Sequence, residues 1–190
     1  MRAANGVVMR KNIDQSPGFT LIEMVVVIVI IGLLAVTALP KFLDVADEAQ
    51  KSSIKAVSGS FATAVLSVRA QWEAEARPVN SAGGNSVNYD GTDFLLTSSD
   101  NTGFRDGYPI ALDESGASAS VATDITCKDL MEELLQSSLS VNVEGSTSGD
   151  DNYSAEAIGS SECRYTQLES SDEYYFSYDI TAGRVSVSLE

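Results

Sequence analysis

Apolar positions divide the chain into three regimes. From Phe19 to Leu39, 21 residues carry one formal charge, at Glu23. Rising about 1.5 Å per residue as a helix, they span about 31 Å, the thickness of a bilayer core. Val25 to Ile31 are seven consecutive β-branched residues, which in water favour a strand. In lipid no water satisfies backbone N–H and C=O groups, so a lone segment crosses only as a helix. Further on the period changes. Ile54, Val57, Phe61, Val65, Val68 and Trp72 recur at intervals of three and four, drawing one apolar stripe on a helix, with Asp47, Lys51, Lys55, Ser58 and Glu73 off it. The pattern predicts a single helix from about Phe19 to Ala76, apolar all round in its first half and amphipathic in its second. Gly32 and Pro40 are its weak points, where a kink or local melting is expected, and Arg77-Pro78 ends it.

The third regime is polar with short apolar pieces. From Val79 to about Thr126, Ser, Gly, Asn, Asp and Thr dominate, punctuated at Gly83-Gly84, Asp90-Gly91, Asp106-Gly107 and Tyr108-Pro109. This reads as a long connecting loop anchored by Phe94-Leu95-Leu96 and Tyr108-Pro109-Ile110. Thr126 is expected to cap a short helix over about 127–137, with Asp129 in its first turn and Leu130, Leu134 and Leu135 facing inward. Alternation then predicts strands at Leu139–Val143, Tyr153–Ile158 and Cys163–Leu168, with an exposed loop over 146–152. A carboxy-terminal hairpin, Tyr174–Ile180 with Arg184–Leu189, turns through Thr181-Ala182-Gly183. Laid on the helix stripe, these strands make an α+β head.

Composition narrows the chemistry. The 190-residue chain is long enough for one soluble domain plus a membrane helix. It has 12 Lys and Arg against 27 Asp and Glu, a net charge of −15. Such a surface repels nucleic acid, because phosphate binding needs cations. The absence of histidine removes the commonest general base and metal ligand, so no enzyme activity and no cofactor are expected. Acidic runs at Asp90–Asp93, Asp100–Asp106 and residues 149–152 supply oxygen ligands of the kind calcium takes, but without EF-hand spacing. Solvated loop charge is the default reading. Cys127 and Cys163 lie beyond the apolar segment and either pair in an oxidising compartment or remain two buried thiols.

The amino-terminal end carries the sharpest signal. Arg2, Arg10 and Lys11 precede the apolar run and, by the positive-inside rule, hold the amino terminus in the cytoplasm. A carboxylate inside such a run costs about 2.5 kcal/mol or more at a membrane centre and marks function by default. The stretch Gly18-Phe19-Thr20-Leu21-Ile22-Glu23, with a basic leader before it and an apolar run after it, resembles the class III signal of type IV prepilins. Leu34 to Asp44, together with Gln71-Trp72, is most similar to the mannose-sensitive haemagglutinin (MSHA) type pilins.

That resemblance implies a division into a leader (1–18), a transmembrane and filament-core half-helix (19–40) and a head (41–190). The head comprises the amphipathic half-helix (41–76), the α/β loop (77–126) and a disulfide-tied antiparallel sheet (127–190). It implies cleavage between Gly18 and Phe19 by a prepilin peptidase, methylation of the Phe19 amine, and an assembly role for Glu23 in neutralising that amine. A Cys127–Cys163 bridge would match the pilin disulfide, although 27 residues follow Cys163, leaving the terminal hairpin outside its loop. The implied function is that of a structural subunit in a Gram-negative bacterium, moved from the inner membrane by the pilus assembly machinery into an extracellular filament of identical copies for cell adhesion. Alternatives are a type II secretion pseudopilin or minor pilin, and a membrane-anchored periplasmic binding protein. An ordinary secretory signal cut after Val36-Thr37-Ala38 is the competing processing route. Amino-terminal sequencing of mature protein separates the two routes: Phe19 as first residue is expected, and Leu39 would overturn the prepilin reading.

Overall fold

The computed structural model describes residues 18–100, 102–114, 120–136, 139–146, 151–169 and 173–189, apart from the side chains of Pro40 and Leu43. The chain forms two compact units, Met1–Asp44 and Val45–Glu190. Helix α1 is Leu21–Ala74 and runs through positions 32 and 40 without interruption, so no local melting is present there. Within the first unit its apolar side chains stand in the open, Ile28 being 65% exposed and Leu33 68%. This is the one helix, among the described residues, long and apolar enough to cross a membrane.

In the second unit the predicted stripe is the core. Ile54, Phe61, Val65, Val68 and Trp72 are buried and Val57 packs against them. Ser58 departs from expectation. It is buried rather than on the polar side, and its hydroxyl donates to the Lys55 carbonyl at 3.0 Å, which removes most of the cost of burying it. The helix stops just short of Arg77-Pro78. Ala76 and Arg77 take positive φ, the Arg77 N–H closes on the Trp72 carbonyl at 2.9 Å, and the Trp72 indole donates to the Pro78 carbonyl at 3.0 Å.

The segment read as a long loop is a sheet. Strands β1 (Ser86–Tyr89), β2 (Thr92–Leu96) and β3 (Pro109–Leu112) pair in the order β1-β2-β3, all antiparallel. Asp90 and Gly91, at φ 51° and 94°, form the two-residue connection typical of tight hairpins. The composition of this stretch is that of turns because the strands are four or five residues long and their connections occupy much of it. Phe94, Leu96 and Ile110 are fully buried, as their role as anchors requires.

Helix α2 is Asp124–Leu135, and its cap is Thr123 rather than Thr126. Thr126 is the third helical residue and bonds back to Thr123, so the two threonines satisfy each other's backbone donors. Asp124, not Asp129, carries the first-turn charge. Cys127, Leu130, Met131 and Leu134 face inward and Leu135 packs at the edge. The second sheet has the order β4-β5-β6-β7-β8, with β4 Val141–Val143, β5 Tyr153–Ile158, β6 Glu162–Gln167, β7 Tyr175–Asp179 and β8 Arg184–Ser188. Four predicted strands recur nearly residue for residue. The first begins later than expected, and β4 runs parallel to β5 while the other pairs are antiparallel.

Alternation puts Tyr165, Phe176 and Tyr178 on the face turned to α1, where Phe61 meets their rings at 5.3, 5.6 and 5.4 Å. Two of these buried phenols are satisfied by backbone. Tyr165 donates to the Cys127 carbonyl at 2.8 Å and Tyr178 to the Pro109 carbonyl at 2.9 Å, so both also tie the sheet to the preceding segment. Cys127 and Cys163 are bonded, joining α2 to β6 with Cα atoms 5.5 Å apart, and a bridge closing a loop of this size contributes about 3 to 4 kcal/mol by chain entropy. The β7–β8 turn needs glycine at 183. Its φ is 65° and an added Cβ would stand 1.9 Å from the Tyr108 ring.

Where α1 enters the second unit, Asp47, Lys51 and Tyr174 form a polar clamp. Lys51 is 2.7 Å from Asp47, the Tyr174 hydroxyl donates to the same carboxylate, and the ammonium lies over the Tyr174 ring at 5.4 Å. The hydrogen bond from Lys51, then that from Tyr174, holds the Asp47 carboxyl below its ordinary value of 3.8. Its stabilising contribution is therefore complete above that value and is lost as pH falls through the lowered folded-state value. The Asp47→Asn variant is expected to unfold at lower urea than the parent at about pH 7, with the gap closing towards about pH 2. A gap that stays constant over that range would show that the carboxylate's charge contributes nothing.

Candidate assembly site

Gly18 to Glu23 lead into and begin α1, and their geometry follows from the needs of a helix start. The first turn of a helix leaves backbone N–H groups without partners. Here Glu23 and Thr20 supply them reciprocally. The Thr20 N–H donates to Glu23 Oε2 at 2.8 Å, the Thr20 hydroxyl donates to the same oxygen at 2.8 Å, and the Glu23 N–H donates back to Thr20 Oγ1 at 3.3 Å. This is a capping box, and a negative charge at this end also complements the helix dipole. The signature Thr-x-x-Glu was readable at Thr20 to Glu23. Within the apolar run the same carboxylate has the pattern of a misplaced charge, although it lies in the first turn.

Glu23 is thus occupied before any partner arrives. Phe19 is 82% exposed, nothing stands within 4 Å of where a Gly18 side chain would begin, and Phe19 and Glu23 line one largely apolar cavity of about 430 Å³ with Ile22, Val26 and Val27. The arrangement leaves the Gly18–Phe19 peptide bond open and puts the carboxylate beside the residue whose amine cleavage would release. While that bond is intact the Phe19 nitrogen is an uncharged amide. A cut at that bond would turn the nitrogen into a cationic amine four residues from Glu23.

The other candidates sort differently. Cys127 and Cys163 are brought together as a bond. The acidic runs are not brought together: Asp93 accepts from Asn88 at 2.7 Å and Asp106 from the Ser99 N–H at 2.6 Å. No group of three or more metal-ligating side chains forms among the described residues, and Asp150 lies outside them.

Comparison with known proteins agrees with this geometry. Residues 15–39 match the family described as the prokaryotic N-terminal methylation motif. The chain is 41% identical over 59 residues to the type IV narrow pilus major component PilA5 of Thermus thermophilus, covering 30% of this chain and 51% of that protein. It is 32% identical over 103 residues to the type IV major fimbrial protein FimA of Dichelobacter nodosus, covering 52% of this chain and 66% of that protein. The chain thus spans about half to just under two thirds of the curated relatives it matches. No solved structure matches it. With the methylation motif at the start of an apolar helix, pilins as relatives, and a long helix packed on antiparallel-rich sheets with a disulfide, the chain belongs to the type IV pilin family.

Proposed function

We propose that the chain is the structural subunit of an MSHA-like type IV pilus. The observation that carries the reading is the bare apolar half of α1, whose most apolar 18-residue stretch has none of its residues buried. Exposed apolar surface of that extent needs a cover, and a lipid bilayer followed by the packed helices of identical copies provides one in each of two stages. In the first stage the basic leader holds the amino terminus in the cytoplasm and the helix anchors the subunit in the inner membrane. A prepilin peptidase cuts between Gly18 and Phe19, and the new Phe19 amine is methylated, which keeps its positive charge. In the second stage the inner-membrane machinery moves the subunit into an extracellular filament that attaches to surfaces.

Glu23 has separate work in each stage. In the lone subunit it caps α1 through Thr20. In the filament it meets the Phe19 amine of its own or a neighbouring copy, and a charge in an apolar surrounding is much less costly when paired. Both relatives are named as major components, which favours an abundant subunit over an accessory one.

The Glu23→Val variant is expected to insert and to be cut at Gly18 as the parent is, yet to give far fewer sheared fibres. Fibres at the parent's abundance would refute an assembly role for this carboxylate.

A further inference from the structure

We propose that a groove between α1 and α2 in the second unit receives an acidic loop of a second copy of the chain. The inference rests on the filament-subunit reading and names the partner surface on the head. The groove has a volume of about 530 Å³ and is lined by Lys55, Gly59, Ser60 and Thr63 on one wall and by Tyr89 and Leu134 on the other. It continues past Ala56, Ser60 and Leu135 into a smaller, more apolar recess of about 220 Å³ that ends on Leu139.

Three observations point to a protein occupant. The exposed positions of α1 between Lys55 and Glu73 are Ala56, Gly59, Ser60, Thr63, Leu66, Ala70 and Gln71, all uncharged. Helix faces that stay in water are ordinarily charged, and the flanks of this same helix are, at Asp44 and Glu48 before the groove and at Glu73 and Glu75 after it. Gly59 sits in a helix interior, where it costs about 1 kcal/mol relative to alanine, yet a Cβ there would meet nothing within 4 Å in its own subunit. Packing inside the subunit therefore does not call for a glycine. A backbone approaching from outside does.

Charge selects the occupant. Lys55 is the one base lining the groove and, like Lys41, Arg105 and Arg184, has no carboxylate within ion-pair distance among the described residues, whereas Lys51, Arg69, Arg77, Lys128 and Arg164 each have one. On a chain with 27 acids and 12 bases, a copy's own exposed carboxylates, such as Asp93 and Asp100, are the most abundant complement. The loop that carries Asp100 places the charge on Lys55 and its backbone over Gly59.

The test uses the full chain in cells that assemble it. A benzophenone amino acid in place of Ser60 is irradiated in sheared fibres, with the same probe at Ser186 as control, exposed on β8 and outside the groove lining. Multiples of the subunit mass from position 60 and none from position 186 are expected. Gly59→Trp, which places bulk in the groove from a position whose Cβ would meet nothing within 4 Å in the subunit, and Lys55→Glu are each expected to lower fibre yield about tenfold or more with membrane level and Gly18 cleavage unchanged. Lys55→Arg is expected to leave yield intact. Parental yield from Gly59→Trp, or a cross-link from position 60 to a different protein or to none, overturns the groove and leaves the filament reading standing. Absence of the parent chain from fibres overturns both.

Discussion

A backbone amide removed from water must be paired, and that requirement organises everything at the amino-terminal end of this molecule. An isolated segment of valines and isoleucines has strand-like side chains but no neighbour to complete a ladder, so helix is the state that pairs its N–H and C=O groups internally. The same rule leaves the first turn with unpaired donors, and Thr20 with Glu23 supplies what the helix cannot. The carboxylate thereby has a stabilising place in the lone subunit, before any partner is considered. In an uncut chain the capping box and a salt bridge to Phe19 do not compete, because the amide nitrogen carries no charge. Under the proposed cleavage, a cationic Phe19 amine would become the competitor.

The second half of α1 obeys a different solvent. Its stripe is buried by aromatic side chains from β6 and β7, so that one phenylalanine, Phe61, touches three rings from two strands. The polar ends of those rings are fixed by backbone carbonyls of Cys127 and Pro109. Strand β3 and helix α2 are therefore each attached to the terminal sheet by a hydrogen bond, and the disulfide reinforces the attachment of α2.

Long periodic signals were legible in the chain, and short ones were not. The stripe from Ile54 to Trp72 and the alternation at Phe176, Tyr178 and Ile180 identify core positions, because each repeats over enough turns or pleats to stand out. The β1–β2 hairpin was hidden: four residues either side of Asp90-Gly91 offer little periodicity, although that dipeptide is a recognised turn signal. The parallel pairing of β4 with β5 depends on where the chain returns, which local pattern does not encode. Thr126 has the sequence signature of a cap because it precedes the apolar positions of α2, whereas the helix begins at Asp124, nearly one turn earlier. Ser58 was placed on the wet side because hydroxyls usually are, and a bond to its own helix permits the opposite. At the candidate site Gly18, Phe19 and Glu23 are legible from their spacing. The groove beside α2 did not, since it is made by residues 79 positions apart, Lys55 and Leu134, that only the fold brings together.

The bond between Cys127 and Cys163 also determines what a protease can do to the subunit. A single cut anywhere between the two cysteines leaves both fragments covalently joined, so β6 and everything after it remains tied to α2 and, through it, to the helix. Losing the terminal sheet then takes two separate events, a cleavage and a reduction. The subunit thereby tolerates one nick in that loop without shedding the strands that follow it.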